Sequence, residues 1–417
     1  MLPSTMPRSS AFALCVLITL IGGCVKVAPN GSTETPPAVE SILLTETQVA
    51  SVRHAVEACG GTLQLDDRGQ PTLIDLAVDR GSADEAGLRA ALECTNLKTL
   101  RIRAAGAPAG LLAEIGKLTQ LEELYLQNVS VDNSLLAQTV GRLPHLRQLT
   151  LRNTPGLDDI TPIATRPKLT HLALIDQPIV GEHLSTLLEA SQLVSLDLRM
   201  CSQLGGKDIA SLSHFPRLKS LKLGEYGIDN ESMDAVAKIK TLENLTIEDA
   251  AIDGGGLTAL TPIASQIRTL RLSRCASLDD DAMQVTKAFT QLRVLLLRDL
   301  PVTGEFLANV HHPEHLDTLT LRQLFLGDEA FDAIANCKNL KRLNLADNYL
   351  DPTWIEIIAT LPKLETLDLS RCGLDKASVL LPLKQLPHLR TLNLSGNSDI
   401  SEETTREILE SSQTDAS

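Results

Sequence analysis

A short pattern returns along this chain at nearly constant intervals. Leu121-Glu122-Glu123-Leu124-Tyr125-Leu126 is one copy, Leu193-Val194-Ser195-Leu196-Asp197-Leu198 another, and Leu389-Arg390-Thr391-Leu392-Asn393-Leu394 the last. Clear copies begin at residues 97, 121, 146, 169, 193, 218, 242, 267, 292, 316, 340, 364 and 389, so the spacing stays within 23 to 25 residues. A fainter copy, Leu73-Ile74-Asp75-Leu76-Ala77-Val78, precedes them and makes fourteen. A period of this length is the mark of a solenoid, which grows by adding repeats rather than by enlarging one core.

Within a copy, positions 4 and 6 are apolar while positions 3, 5 and 7 mostly are not. That alternation describes a short strand with one buried face. Eleven or twelve residues into each copy a helix-starting residue recurs: Asp132, Asp158, Asp229, Asp253, Asp279, Thr303, Asp351, Asp375 and Ser401. These types are preferred N-caps. Apolar residues such as Ile355, Ile358 and Ala359 follow at helical spacing. Many strands are preceded by Pro-x-Leu, as at Pro144, Pro167, Pro216, Pro362 and Pro387, where proline ends one coil and opens the next. With ten aromatic residues in 417, the core must be aliphatic.

The pattern resembles the leucine-rich repeat, L-x-x-L-x-L-x-x-N/C-x-L, over residues 73–410. The resemblance implies an α/β solenoid, a horseshoe with a parallel sheet on the concave face and short helices on the convex face. At position 9 such repeats place Asn or Cys, whose side chain bonds loop backbone inside the coil. Here that position holds Cys201, Cys275, Asn348, Cys372 and Asn397, but also Ala105, Val129, Thr154, Gln177, Tyr226, Ala250, Leu300 and Leu324, so the internal ladder reads as broken. The period and the cysteines are most similar to the cysteine-containing class.

The N-terminus has its own logic. Residues 11–21 are an apolar run, the length of a signal h-region and too short to span a membrane. Ile21-Gly22-Gly23-Cys24 follows and resembles the bacterial lipobox. The resemblance implies a signal peptide at 1–23 and acylation of the Cys24 thiol. Each buried methylene of such a chain contributes about 0.8 kcal/mol. Residues 24–41 read as anchor and flexible tether, rich in Pro, Gly, Ser and Thr. Residues 42–72 read as an N-terminal cap: a capping box at Thr45 and Gln48, a stripe of Val49, Val52, Val56 and Cys59, and a strand at Thr62–Leu65. Residues 411–417 read as a disordered tail.

The remaining clusters are weighed against this frame. Cys201, Cys275 and Cys372 occupy the ladder position, and Cys94 and Cys337 an apolar phase. A bond from Cys59 to Cys94 would staple the cap to the first repeats, and spacing leaves that open. His311-His312-Pro313-Glu314-His315 looks like a ligand cluster, yet His315 is in phase with His145 and His388, so it reads as an inter-repeat turn and no metal is assigned. No hydrolase, metalloprotease or phosphate-loop signature occurs. The chain therefore reads as a non-enzyme without cofactor. A formal charge of −14 argues against nucleic acid as partner.

Strand columns supply one functional feature. Copies nine to eleven contribute Arg271, Arg298 and Arg322, flanked by Arg268, Arg274 and Arg293, with Val294 and Leu296 between them. Apolar side chains ringed by arginines suit a partner-binding patch. A weaker group is Arg101, Arg103 and Arg152 beside Tyr125. The alternative is that the arginines only solubilise the sheet and pair with acids such as Asp299. The expectation is an exported, lipid-anchored envelope protein that binds a protein or envelope polymer through its concave sheet. A structural envelope role without a discrete ligand, and a hydrolase with an unrecognised loop site, are the alternatives. Cys24→Ser should abolish incorporation of radiolabelled palmitate in cells, and undiminished label would remove the anchor assignment.

Overall fold

The computed structural model describes residues 43–414 except 78–82, 105 and 399, all within one compact unit, Ser41–Ser417. Cys24, the signal, the tether and Ala105 lie outside the described residues. Fifteen strands form one sheet in chain order. The first, β1 (Thr62–Leu65), pairs antiparallel with β2 (Pro71–Leu76). Every later pairing is parallel, from β3 (Thr99–Arg103) to β15 (Thr391–Asn393). Short α and 3-10 helices return the chain between strands, and successive helices pack on one another.

Why the coils stack is visible in the leucines. Leu196, Leu221 and Leu245 sit in register on β7 (Ser195–Arg199), β8 (Ser220–Gly224) and β9 (Asn244–Glu248), each fully buried. Their neighbours at position 6, Leu198, Leu223 and Ile247, are buried too. A five-residue strand and one helical turn cannot enclose these side chains alone, so each coil closes the core of the last.

The copies are joined past the strand ends by a device absent from the pattern reading. Position 8 carries positive φ in copy after copy: Asn128, Asn153, Asp176, Met200, Asp249, Arg274, Asp299, Gln323, Asp347 and Arg371 all lie between 47° and 61°. In this left-handed turn the residue's N–H donates to the carbonyl at position 7 of the next coil, as from Asp249 to Ser273 (3.0 Å) and Arg274 to Arg298 (3.0 Å). Asn and Asp tolerate this region best, and six of these ten residues are Asn or Asp.

The position-9 ladder is less broken than the residue types imply. Asn348 Nδ2 donates to Leu321 O (2.6 Å) and Leu345 O (2.7 Å) while its Oδ1 accepts from Leu324 N (2.8 Å). Asn397 repeats this with Leu369 O, Leu394 O and Cys372 N. The Cys201 and Cys372 thiols donate to Leu174 O (3.0 Å) and Leu345 O (3.2 Å). Thr154 and Gln177, counted as departures, are buried and bonded to each other (3.1 Å). Among the described residues, Tyr226 is the departure that leaves the interior: it is 79% exposed.

Several expectations need correction. The first copy is shifted by two residues. Leu73 pairs with Thr99, so Ile74 and Leu76 take the buried strand positions rather than Leu76 and Val78. The short helix of copy four starts after Ile160, and Asp159, not Asp158, bonds its Thr161 N–H (2.8 Å). At copy ten the cap comes from the preceding coil: Asp280 accepts from Thr303 N (2.6 Å) and Gly304 N (3.0 Å). No Asp375 cap forms, the helical stretch beginning after Lys376. The last helix, Glu402–Thr414, runs on into the stretch read as a disordered tail. At the other end, the helix Glu46–Ala58 does carry its capping box and buries Val49, Val52 and Val56. Cys59 and Cys94 are free thiols.

Replacing Leu221 with Ala should cost about 2–5 kcal/mol through a cavity shared by adjacent coils. Equilibrium urea unfolding reads this directly, and an unchanged midpoint would contradict the strand phase.

Candidate functional site on the inner wall

The outward side chains of β10 (Thr269–Ser273), β11 (Val294–Arg298) and β12 (Thr318–Arg322) build the site. Register places Arg271 beside Leu296 and Thr320 in one row, and Ser273 beside Arg298 and Arg322 in the next. A depression of about 510 Å³ opens over these rows. Arg271, Leu296, Arg298, Thr320, Arg322 and Asn344 line it, with Arg199, Glu248, Ser273 and Arg274 toward the preceding coils.

The arginines differ in what they touch. Arg274 grips Asp249 through Nε (2.6 Å) and Nη2 (2.7 Å) and reaches Glu248 at 3.6 Å. This pairing draws the Asp249 carboxyl below its ordinary range. Arg322 shares Asp347 (2.5 Å) with Arg371, and the two hold that carboxyl at about 2, Arg371 contributing most. Arg271 and Arg298 form no ion pair among the described residues. The Nε of Arg298 is sealed from solvent and has no hydrogen-bond partner among them. A buried donor left unmatched costs roughly 1–3 kcal/mol. Arg166 Nε and Gln266 Nε2 share this state, so the sealed Nε does not by itself mark a ligand position.

The other expected patch members fall outside this depression. Arg268 and Arg293 stand just before β10 and β11. Arg268 lies 3.9 Å from Glu243, and Arg293 has no ion pair among the described residues. Val294 is half-buried at the start of β11, in register with Thr269 and Thr318. Asp299, the acid expected to neutralise the patch, forms no ion pair among the described residues, and the pairing acids are Glu243, Glu248, Asp249 and Asp347.

The second group is divided. Arg101 is held by Glu123 (2.8 Å) and Asp75 (3.6 Å), and lines a depression of about 530 Å³ with Tyr125. The Tyr125 hydroxyl donates to Gln127 Oε1 (2.7 Å). Arg103, half-buried on β3, is in register with Gln127. Arg152 lines a different hollow of about 230 Å³ with Glu225, Glu248, Asp249 and Arg274.

The pattern reading missed the residue at which these hollows meet. Arg199 lines all three. It chelates Asp197 through Nε (2.9 Å) and Nη2 (2.8 Å) and bridges to Glu248 (3.1 Å). Asp197 is 5% exposed, although it points outward from β7, because Arg199 and Lys222 (3.2 Å) cover it. Arg199 shares position 7 with Arg152, Arg298 and Arg322, and that column was the available signal.

Two features bear on chemistry. Burial pushes the thiols of Cys94, Cys201, Cys337 and Cys372 up to about 12, so none is a ready nucleophile. On an outer turn, the segment read as a plain connector brings ligand atoms of His312, Glu314 and His315 within 4.8 Å of one another. No helix among the described residues is long and apolar enough to cross a membrane.

No protein-family model matches the chain. Among solved structures it is similar to an internalin of Listeria monocytogenes, at 17% identity over 89% of this chain and 97% of that one, with a TM-score of 0.46. It is also similar to a leucine-rich repeat protein of Leptospira interrogans, at 18% identity over 78% and 85% of the two chains, with a TM-score of 0.44. In fold the chain is a leucine-rich repeat solenoid, its parallel sheet forming the inner wall and its short helices the outer one.

Proposed function

We propose that this chain is an exported protein, anchored to an envelope membrane through acyl chains on Cys24, whose inner wall binds another protein or an envelope polymer. The anchor rests on the lipobox-like Ile21-Gly22-Gly23-Cys24 and the apolar run before it. The binding role rests on Arg271 and Arg298, which line one depression with Leu296 and form no ion pair with a carboxylate among the described residues. The group that fits is an acidic one carried next to an apolar side chain, which Leu296 would receive. Arg199, Arg274 and Arg322, already clamped by carboxylates, frame the depression and fix its shape. The role is recognition rather than catalysis, and the formal charge of −14 disfavours a nucleic acid.

The test is affinity capture from envelope extracts with the wild-type body and with an Arg271→Ala/Leu296→Ala/Arg298→Ala variant. Charge-assisted hydrogen bonds contribute about 1.5–3 kcal/mol each. Recovery of the discrete partner should therefore fall by about tenfold or more. Identical recovery by both proteins would reject the patch.

A further inference from the structure

The turn before β12 carries a feature that inner-wall binding does not use. We propose that His312, Glu314 and His315 form a surface site for a divalent transition-metal ion, Zn2+ foremost. One donor atom from each lies within 4.8 Å of the other two. His312 Nδ1 and Glu314 Oε1 are 3.0 Å apart. Bonds from Zn2+ to nitrogen or oxygen run about 2.0–2.2 Å, so a gap of that width subtends roughly 90° at the ion. A slight opening toward tetrahedral geometry lets one ion take both donors. The ion takes the Nδ1 lone pair of the His312 tautomer that carries its single proton on Nε2.

His315 is prepared in the complementary sense. Its Nδ1 faces the Thr290 carbonyl oxygen at 3.4 Å. With the proton on Nδ1, Nε2 presents the lone pair, the arrangement by which a backbone carbonyl orients a metal-binding imidazole. The His312 and His315 rings stack at 4.6 Å and 21°, which keeps both on one side of the turn. His311 meets His312 edge-on, with ring centroids 4.4 Å apart.

The backbone under these ligands is held in place. Pro313 restricts φ in the 3-10 turn Pro313–His315, and His315 N bonds His312 O (2.9 Å). From the next coil Asn339 Nδ2 donates to Glu314 O (2.7 Å), and Lys363 Nζ from the coil after it holds Asn339 Oδ1 (2.6 Å). The Glu314 carboxyl lies below its ordinary range, through its own backbone N–H first and His312 next, so it is a carboxylate at neutral pH. Two imidazoles and a carboxylate are a donor set suited to Zn2+ rather than to Mg2+ or Ca2+, which take oxygen. The site flanks the start of β12, whereas Arg322 ends that strand, so the metal site and the arginine patch can be tested separately.

Tag-free protein should be titrated with Zn2+ by calorimetry and with Co2+ by visible absorption. One ion per chain is expected, with ligand-field bands for Co2+ and no competition from excess Mg2+. His312→Ala, His315→Ala and the conservative Glu314→Gln should each weaken binding by about tenfold or more. Their metal-free melting curves should match wild type, since His315 and Glu314 are exposed and His312 is half-buried. Absence of saturable Zn2+ binding, or binding that survives in the His312→Ala/His315→Ala protein, would overturn the proposal.

Discussion

Each coil of this protein offers two or three leucines that its own few residues cannot cover. The sharing of those leucines between neighbours is the constraint from which the remaining structure follows. Leu196, Leu221 and Leu245 stand in register because a slip of one residue would turn every one of them toward water. Parallel strands follow, since each coil repeats the direction of the last. Once the leucines face inward, positions 3, 5 and 7 must face the inner wall, and that wall becomes a broad surface open to solvent.

Polar groups are subordinate to this stack but determine its finish. The left-handed residue at position 8 carries hydrogen bonding one step beyond the strand, and Asn348 and Asn397 stitch the loops inside. Charges on the inner wall are mostly closed into pairs across adjacent coils, Arg274 with Asp249 and Arg322 with Asp347. Pairs this exposed contribute only about 0.2–1 kcal/mol each. Arg271 and Arg298, like Arg152, stay outside such pairs among the described residues.

The fold was legible because its signal is repetitive: a period of 23 to 25 residues fixes strand phase thirteen times over. It failed where repetition is weakest. Leu73-Ile74-Asp75-Leu76 admits two phases, and only the pairing of Leu73 with Thr99 decides between them. The helix starts at Asp158 and Thr303 were misread for a related reason. Their caps come from Asp159 and from Asp280, and in the second case the cap belongs to another coil. The arginine columns could be read from spacing, but which arginines are neutralised depends on partners about 25 residues away. Asp299 was the nearest acid in sequence and proved the wrong one. The hub at Arg199 stood in the same column as Arg298 and was overlooked because Asp197 beside it has the look of a surface residue. The spacing of His312, Glu314 and His315 could be read from the sequence, but how near their donor atoms come to one another depends on the Pro313–His315 turn.

The central claim is that no coil is stable apart from its neighbours, and it can be examined on a fragment. Residues 193–241 contain two complete copies with intact strands β7 and β8. Far-ultraviolet circular dichroism should show this fragment unfolded, while residues 43–414 give a folded spectrum and a cooperative melt, because stacking needs at least about three repeats. A cooperative melting transition in the two-copy fragment would show that single coils bury their own leucines, and would contradict the account.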